Sequence, residues 1–206
     1  MTLKIFKEVG IQCIRFPLYW ECYEKNPEAF NQELDNISSA AWKYDILLCI
    51  YDNHQWECSS YIGEGIGFPN SLLIGSFELH SDPSSRPSKQ DLKFWNGWWD
   101  RKIETIRGKD GWDAQLEFLE GVIKRLKHKN STLGFEKLNE PQVFIQVKFK
   151  KVANCHDYII KNISAITDKT LFFCFTSSSG SPLVQPIFHG SRQRMSHQLI
   201  LEQHHI

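Results

Sequence analysis

Apolar runs of strand length alternate with amphipathic helical stretches along this chain, and that alternation restricts its fold more than any other feature. Residues 2–9 read as a helix, 11–16 as a strand stopped by Pro17, and 31–44 as a helix with Leu34, Ile37, Ala41 and Tyr44 at helical spacing. The run 45–51 is a second strand. Residues 112–127 form the clearest helix, with Trp112, Leu116, Leu119, Val122, Ile123 and Leu126 along one stripe. Lys124, Arg125 and Lys127 occupy its last turns, where cations complement the helix dipole. A strand at 133–138, a helix at 148–167 and a strand at 171–176 follow. A Ser/Gly/Pro-rich loop then leads to a last strand at 198–203. Apolar strands joined by helices predict a parallel sheet.

The connection 53–110 is long and rich in Gly and Pro, with one short helix expected near 91–100. A loop of that length in a compact domain is usually functional. It carries Phe94, Trp95, Trp98 and Trp99. Four rings within six positions are too many for one core, so some are expected to line a surface or cleft. Gly63-x-Gly65-x-Gly67 lacks the strand–helix frame that a phosphate cradle needs.

A length of 206 residues predicts one domain, 1–206. Lys+Arg and Asp+Glu both number 24, so no basic excess points to nucleic acid or an anionic membrane. No run approaches the ~18 apolar residues of a membrane span, and the first residues do not read as a secretory signal. Cys13, Cys49 and Cys174 lie in apolar runs, the habit of buried free thiols, which predicts a reducing, cytoplasmic compartment. A Cys22–Cys58 disulfide between loops is the alternative use of two others. His197, His204 and His205 have no ligand-like spacing for a metal.

Polar and ionisable residues gather just after the strands: Arg15, Asp52, His54, Asn139, Glu140 and His204. Functional groups at the carboxyl ends of successive parallel strands mark a TIM-barrel site. A doubly wound sheet also binds ligands at strand ends, but it concentrates them at one switch point. In Asn139-Glu140-Pro141 the acid follows a buried strand, where burial can raise a carboxyl pKa into proton-donor range. Lys137, in the same apolar run, needs a partner if buried.

These residues resemble those of glycoside hydrolase family 5, the cellulase-type retaining (β/α)8 glycosidases. Ile14-Arg15-Phe16-Pro17 is similar to the family's second-strand motif, whose Arg supports the catalytic carboxylate. Asp52-Asn53-His54-Gln55-Trp56 is similar to its third-strand end, whose His lines the sugar subsite. Leu138-Asn139-Glu140-Pro141 is similar to its fourth-strand motif. The resemblance places Glu140 in the acid/base slot and Asn139 against the sugar 2-hydroxyl. His204-His205-Ile206 is similar to a sixth-strand His-x-Tyr motif, with His204 in the His slot and Ile206 departing from Tyr.

The expected fold is therefore α/β, a partial (β/α)8 TIM barrel of about strands 2 to 6. The expected activity is hydrolysis of β-linked glycosidic bonds, with Glu140 catalytic. Arg15, His54, Asn139, His204, Trp20 and Trp56 are expected to bind the carbohydrate substrate, with Trp95, Trp98 and Trp99 as further loop platforms. No cofactor, nucleic acid or membrane partner is implied. The family's nucleophile is a Glu at the end of the seventh strand, and this chain ends after its sixth. Glu202 points one layer too deep to replace it. The sequence thus reads as part of a barrel, with open sheet edges prone to self-association. A non-catalytic carbohydrate-binding remnant is the alternative reading, and an unrelated α/β domain is a third.

Overall fold

A computed structural model of the chain describes residues 2–63, 65–79, 88–143 and 149–172. The elements run in order as α1 (Thr2–Glu8), β1 (Cys13–Leu18), α2 (Trp20–Lys25), α3 (Pro27–Lys43), β2 (Leu47–Asn53), α4 (Ser88–Trp99), α5 (Gly111–Leu126), β3 (Thr132–Glu136), α6 (Phe149–Ile163) and β4 (Thr170–Phe172). The four strands form one sheet in the order β1-β2-β3-β4, every pair parallel. Sequential parallel strands joined by helices match the expected architecture. The last expected strand, the loop before it, Glu202 and His204 lie outside the described residues.

Pro17 does not stop β1 as expected. The strand continues to Leu18, with Pro17 level with Asp52 of β2. Proline lacks the N–H that an inner strand must donate, but β1 is an outer strand of the described sheet and Pro17 is exposed. The missing donor also blunts that edge against pairing with another chain. β3 ends at Glu136, two residues earlier than expected, so the polar segment 137–140 lies beyond the ladder.

Helix ends follow local chemistry. Asn26 caps α3 by accepting from Ala29 N at 3.0 Å, and Pro27 opens the helix without wasting a donor. Asp110 caps α5, its Oδ1 accepting from Trp112 N and Asp113 N at 3.0 and 3.2 Å. Asp110→Ala is expected to cost about 1–2 kcal/mol, read from the urea midpoint. The upper end of that range reflects the simultaneous loss of the Arg101 ion pair at 3.0 Å.

The aromatic cluster departs from expectation. Phe94, Trp95, Trp98 and Trp99 are all buried, none more than 2% exposed. Two faces of α4 are covered because the β2–α4 connection supplies a second apolar layer: Cys58, Ile62, Phe68, Leu72, Leu73 and Phe77. Phe68 is the hub, with ring centroids 4.8, 5.5 and 4.9 Å from Phe94, Trp95 and Trp98. Trp112 Nε1 donates to Trp98 O at 2.8 Å and ties α5 to the same cluster. These tryptophans are core, not sugar platforms.

Trp20 is likewise buried. It opens α2, a short helix the sequence pattern does not reveal, and stacks on Phe118 of α5 at 5.5 Å with 9° between planes. Its ring is consumed by packing and presents no face to a ligand.

The cysteines also differ from expectation. Cys13 takes part in a disulfide rather than remaining a free thiol. Cys22 and Cys58 are both free, so the bridge between them does not form.

Candidate active site

Register explains which side chains meet. Pro17, Asp52 and Glu136 lie level on β1, β2 and β3. Arg15 is level with Ile50 and Gly134, two residues earlier, so it shares a sheet face with Asp52 and Glu136. A register shift between Ile14 and Arg15 sets this alignment. Such irregularities re-aim side chains near sites.

Arg15 climbs that face to the strand tips. Its Nε donates to Glu136 Oε2 at 2.9 Å, and its Nη2 lies 3.1 Å from Asp52 Oδ2. Nη2 also donates to Asn139 Oδ1 at 2.6 Å. Asp52 Oδ2 is 2.7 Å from His54 Nδ1, one strand step further out. Tyr19, just past β1, meets the His54 ring edge-on at 5.6 Å. Arg15, Asp52, His54, Glu136 and Asn139 thus form one connected polar cluster.

Beyond β3 the chain is held by amides instead of a ladder. Asn139 N donates to Asn53 O at 2.9 Å, and Asn53 Nδ2 donates to Lys137 O at 2.9 Å. Gln55 Nε2 donates to the carbonyls of Asn139 and Glu140 at 3.1 and 2.9 Å, and Asn139 Nδ2 returns a bond to Gln55 O at 3.0 Å. Trp99 Nε1 fixes Gln142 O at 2.7 Å. Clamped from both sides, Glu140 adopts φ 39°, in the left-handed region. That costs a non-glycine residue roughly 1–2 kcal/mol, a strain that clusters at functional sites. Glu140 is half-buried, at the edge of the cluster.

Two acids at one register compete for one guanidinium. Burial pushes the Glu136 carboxyl up to about 7; the Asp52 carboxylate adds to the rise, and Arg15 and His54 oppose it. Glu136 Oε1 and Asp52 Oδ1 have no hydrogen-bond partner among the described residues, which leaves half of each carboxylate poorly solvated. Because the folded value exceeds the ordinary 4.5, the protonated form favours the fold. That contribution is full below about pH 4.5 and is lost as pH rises to about 7. Glu136→Gln should remove this component. The stability of wild type relative to the variant is expected to fall across that window, measured by urea unfolding at several pH values.

The expected site residues therefore fall into three groups. Arg15, His54 and Asn139 meet around the strand tips, with Glu140 next to Asn139. Trp56 follows Gln55 and is 54% exposed, paired through its backbone with Ile66. Gly65 and Gly67 allow that pairing: a Cβ on Gly65 would stand 1.8 Å from Trp56 O, and Gly67 has φ +153°. Trp20 is in the core, and His204 lies outside the described residues. Sequence reasoning leaves out Glu136, Gln55 and Tyr19. The signal for Glu136 is an acid in an apolar run, level with an acid on the neighbouring strand.

No family model and no curated protein matches this chain. Solved structures do. Endo-glycoceramidase II from Rhodococcus sp. matches over 86% of this chain and 43% of its own, with 15% identity and a TM-score of 0.66. The endoglucanase Cel5A from Pseudomonas stutzeri, solved with cellobiose, matches over 85% and 41%, with 16% identity and a TM-score of 0.52. Both are TIM-barrel glycosidases. This chain has the fold of a partial (β/α)8 barrel. It spans less than half the length of either solved structure. In this partial barrel the cluster occupies the carboxyl ends of successive strands, where barrel enzymes carry their active sites.

Proposed function

We propose that this chain forms the proton-donating, sugar-gripping part of a glycoside hydrolase acting on β-linked oligo- or polysaccharides, with Glu140 as acid/base. The observation that carries this reading is the Arg15–Asn139 hydrogen bond of 2.6 Å, which tethers the residue before Glu140 to the cluster at the strand tips. The neighbouring folds support it, since one was solved with ganglioside GM3 and another with cellobiose.

In this reading Glu140 protonates the departing oxygen and then activates water. His54 contacts a sugar hydroxyl, and the exposed face of Trp56 stacks on a pyranose ring. Asn139, buried and held by Arg15 and Gln55, sets the position of Glu140 rather than meeting the sugar hydroxyl that the family resemblance assigns to it. Arg15 positions Asn139 and neutralises the acids behind it. A retaining mechanism needs a second carboxyl about 5–5.5 Å from the first. Asp52 and Glu136 are both engaged by Arg15 and no more than 3% exposed, so neither is available to attack an anomeric carbon. They are positioning residues here, and neither serves as the nucleophile.

The test is hydrolysis of an alkyl β-glycoside, whose leaving group needs protonation, by the full chain, with Glu140→Gln beside it. Equal rates in the two proteins would remove Glu140 from the mechanism. The exposure of Trp56 favours a second reading, saccharide binding without turnover. Titration calorimetry with β-glucan oligomers then shows binding that Trp56→Ala weakens about tenfold, equivalent to ~1.4 kcal/mol. Absence of heat with any oligomer would eliminate this second reading.

A further inference from the structure

Lys137 and Cys155 meet in the interior between the end of β3 and α6. Both side chains are buried, and Lys137 Nζ lies 3.0 Å from Cys155 Sγ. Burial holds the Lys137 amine below the usual ammonium range and pushes the Cys155 thiol up, which favours the neutral amine–thiol pair. A lysine placed here solely for stability is a poor choice. Sulfur is a weak acceptor, and burying an amine costs free energy that an apolar side chain of similar size would not.

We propose that Lys137 and Cys155 form a peroxide-responsive modification site, in which oxidation joins Sγ to Nζ as a sulfenamide. In the first step Lys137 Nζ takes the thiol proton, the thiolate sulfur attacks hydrogen peroxide, and Nζ returns the proton to the departing oxygen. The peroxide O–O bond breaks, one oxygen adds to sulfur as a sulfenic acid, and the other leaves as water. In the second step the Nζ lone pair attacks that sulfur. The S–N bond forms, the S–OH bond breaks, and the hydroxyl departs as water with a proton from the amine. One peroxide is consumed, two waters are released, and the protein loses two hydrogens.

Three observations carry the proposal. The 3.0 Å separation is a near-attack distance, within the ~3–3.5 Å at which positioned groups react. Burial lowers the Lys137 pKa, which favours the neutral amine whose lone pair the second step uses. A cavity of about 10 Å³ borders Lys137, with Glu136, Phe135, Ile159 and Leu171 among its other walls. That is close to the ~10–15 Å³ that one water-sized molecule occupies, so one small molecule has room beside Lys137. Cys58 provides an internal comparison. It is equally buried, but the charged neighbour that acts on it is the acid Asp91 and not an amine.

The bond would tie α6 to the segment that leads into Asn139 and Glu140. Lys137 O already accepts from Asn53 and Gln115 at 2.9 and 3.4 Å, so a staple at Lys137 stiffens the support of the site. The inference does not depend on the glycosidase reading.

The full chain is treated with hydrogen peroxide, alkylated in denaturant without reductant, digested, and read by mass spectrometry. The expected product is a peptide pair joined through Lys137 and Cys155, two hydrogens lighter than the separate peptides. It disappears after dithiothreitol and does not form in Cys155→Ala, while Cys58 remains alkylated. Recovery of Cys155 as an alkylated thiol, or as sulfinic acid beside unmodified Lys137, overturns the proposal. The wild-type digest alone separates these outcomes, even if the alanine variant fails to fold.

Discussion

Glu140→Gln is expected to lower kcat for hydrolysis of β-glycosides with poor leaving groups by about 10²–10⁴-fold, with KM little changed. The amide keeps the shape and polarity of the side chain but has no acidic proton to give. The backbone that aims it is set by Gln55, Asn139 and Trp99, none of which the substitution touches. The φ of 39° is a property of that clamp, so glutamine inherits the same orientation. The size of the deficit should depend on the leaving group. A phenol acidic enough to depart as an anion needs no protonation, so the variant should approach wild type on such substrates. It should fall furthest behind on alkyl glycosides. A uniform deficit across leaving groups would mean that Glu140 binds the sugar rather than protonating the aglycone.

Arg15→Met is expected to destabilise the protein by about 3 kcal/mol at pH 7. For a domain of this size that corresponds to a melting temperature lower by roughly 6–12 °C. The loss does not measure the worth of the ion pairs themselves. Removing the guanidinium leaves Asp52 and Glu136 side by side at one register, each no more than 3% exposed, with no cation between them. At pH 7 at least one must take up a proton. The deficit should therefore shrink as pH is lowered, since protonation removes the charges that Arg15 neutralised. Arg15→Met combined with Glu136→Gln should recover part of the loss at pH 7, and thermal melts of the four proteins in this cycle measure it. A pH-independent deficit would assign Arg15 a packing role instead.

The parallel sheet is legible in the sequence because its strands are continuous apolar runs bounded by helical periodicity. The pattern places β1, β2, β3 and their helices within a few residues, and Arg15, His54 and Asn139 do meet. It fails where tertiary context overrides local pattern. Pro17 reads as a strand terminator, yet an outer strand has no need of its N–H. Trp20 follows a strand and reads as a cleft residue, but α2 turns it onto Phe118. The rings at 94–99 read as too many for one core because the second layer covering α4 comes from a loop without periodicity of its own. Glu136 stands out in the sequence only as a charge in an apolar run. Its neighbours become visible once register sets Asp52 beside it and Arg15 below.

The β2–α4 connection bears on how a ligand would enter. Its length suggests a flap, yet Phe68 inserts among Phe94, Trp95 and Trp98, and Leu72 and Leu73 are no more than 1% exposed. Swinging this stretch outward would tear open the interior, so it cannot act as a hinged door. The wall bearing Trp56 is fixed masonry, and under the proposed function a saccharide would meet it already in its final form.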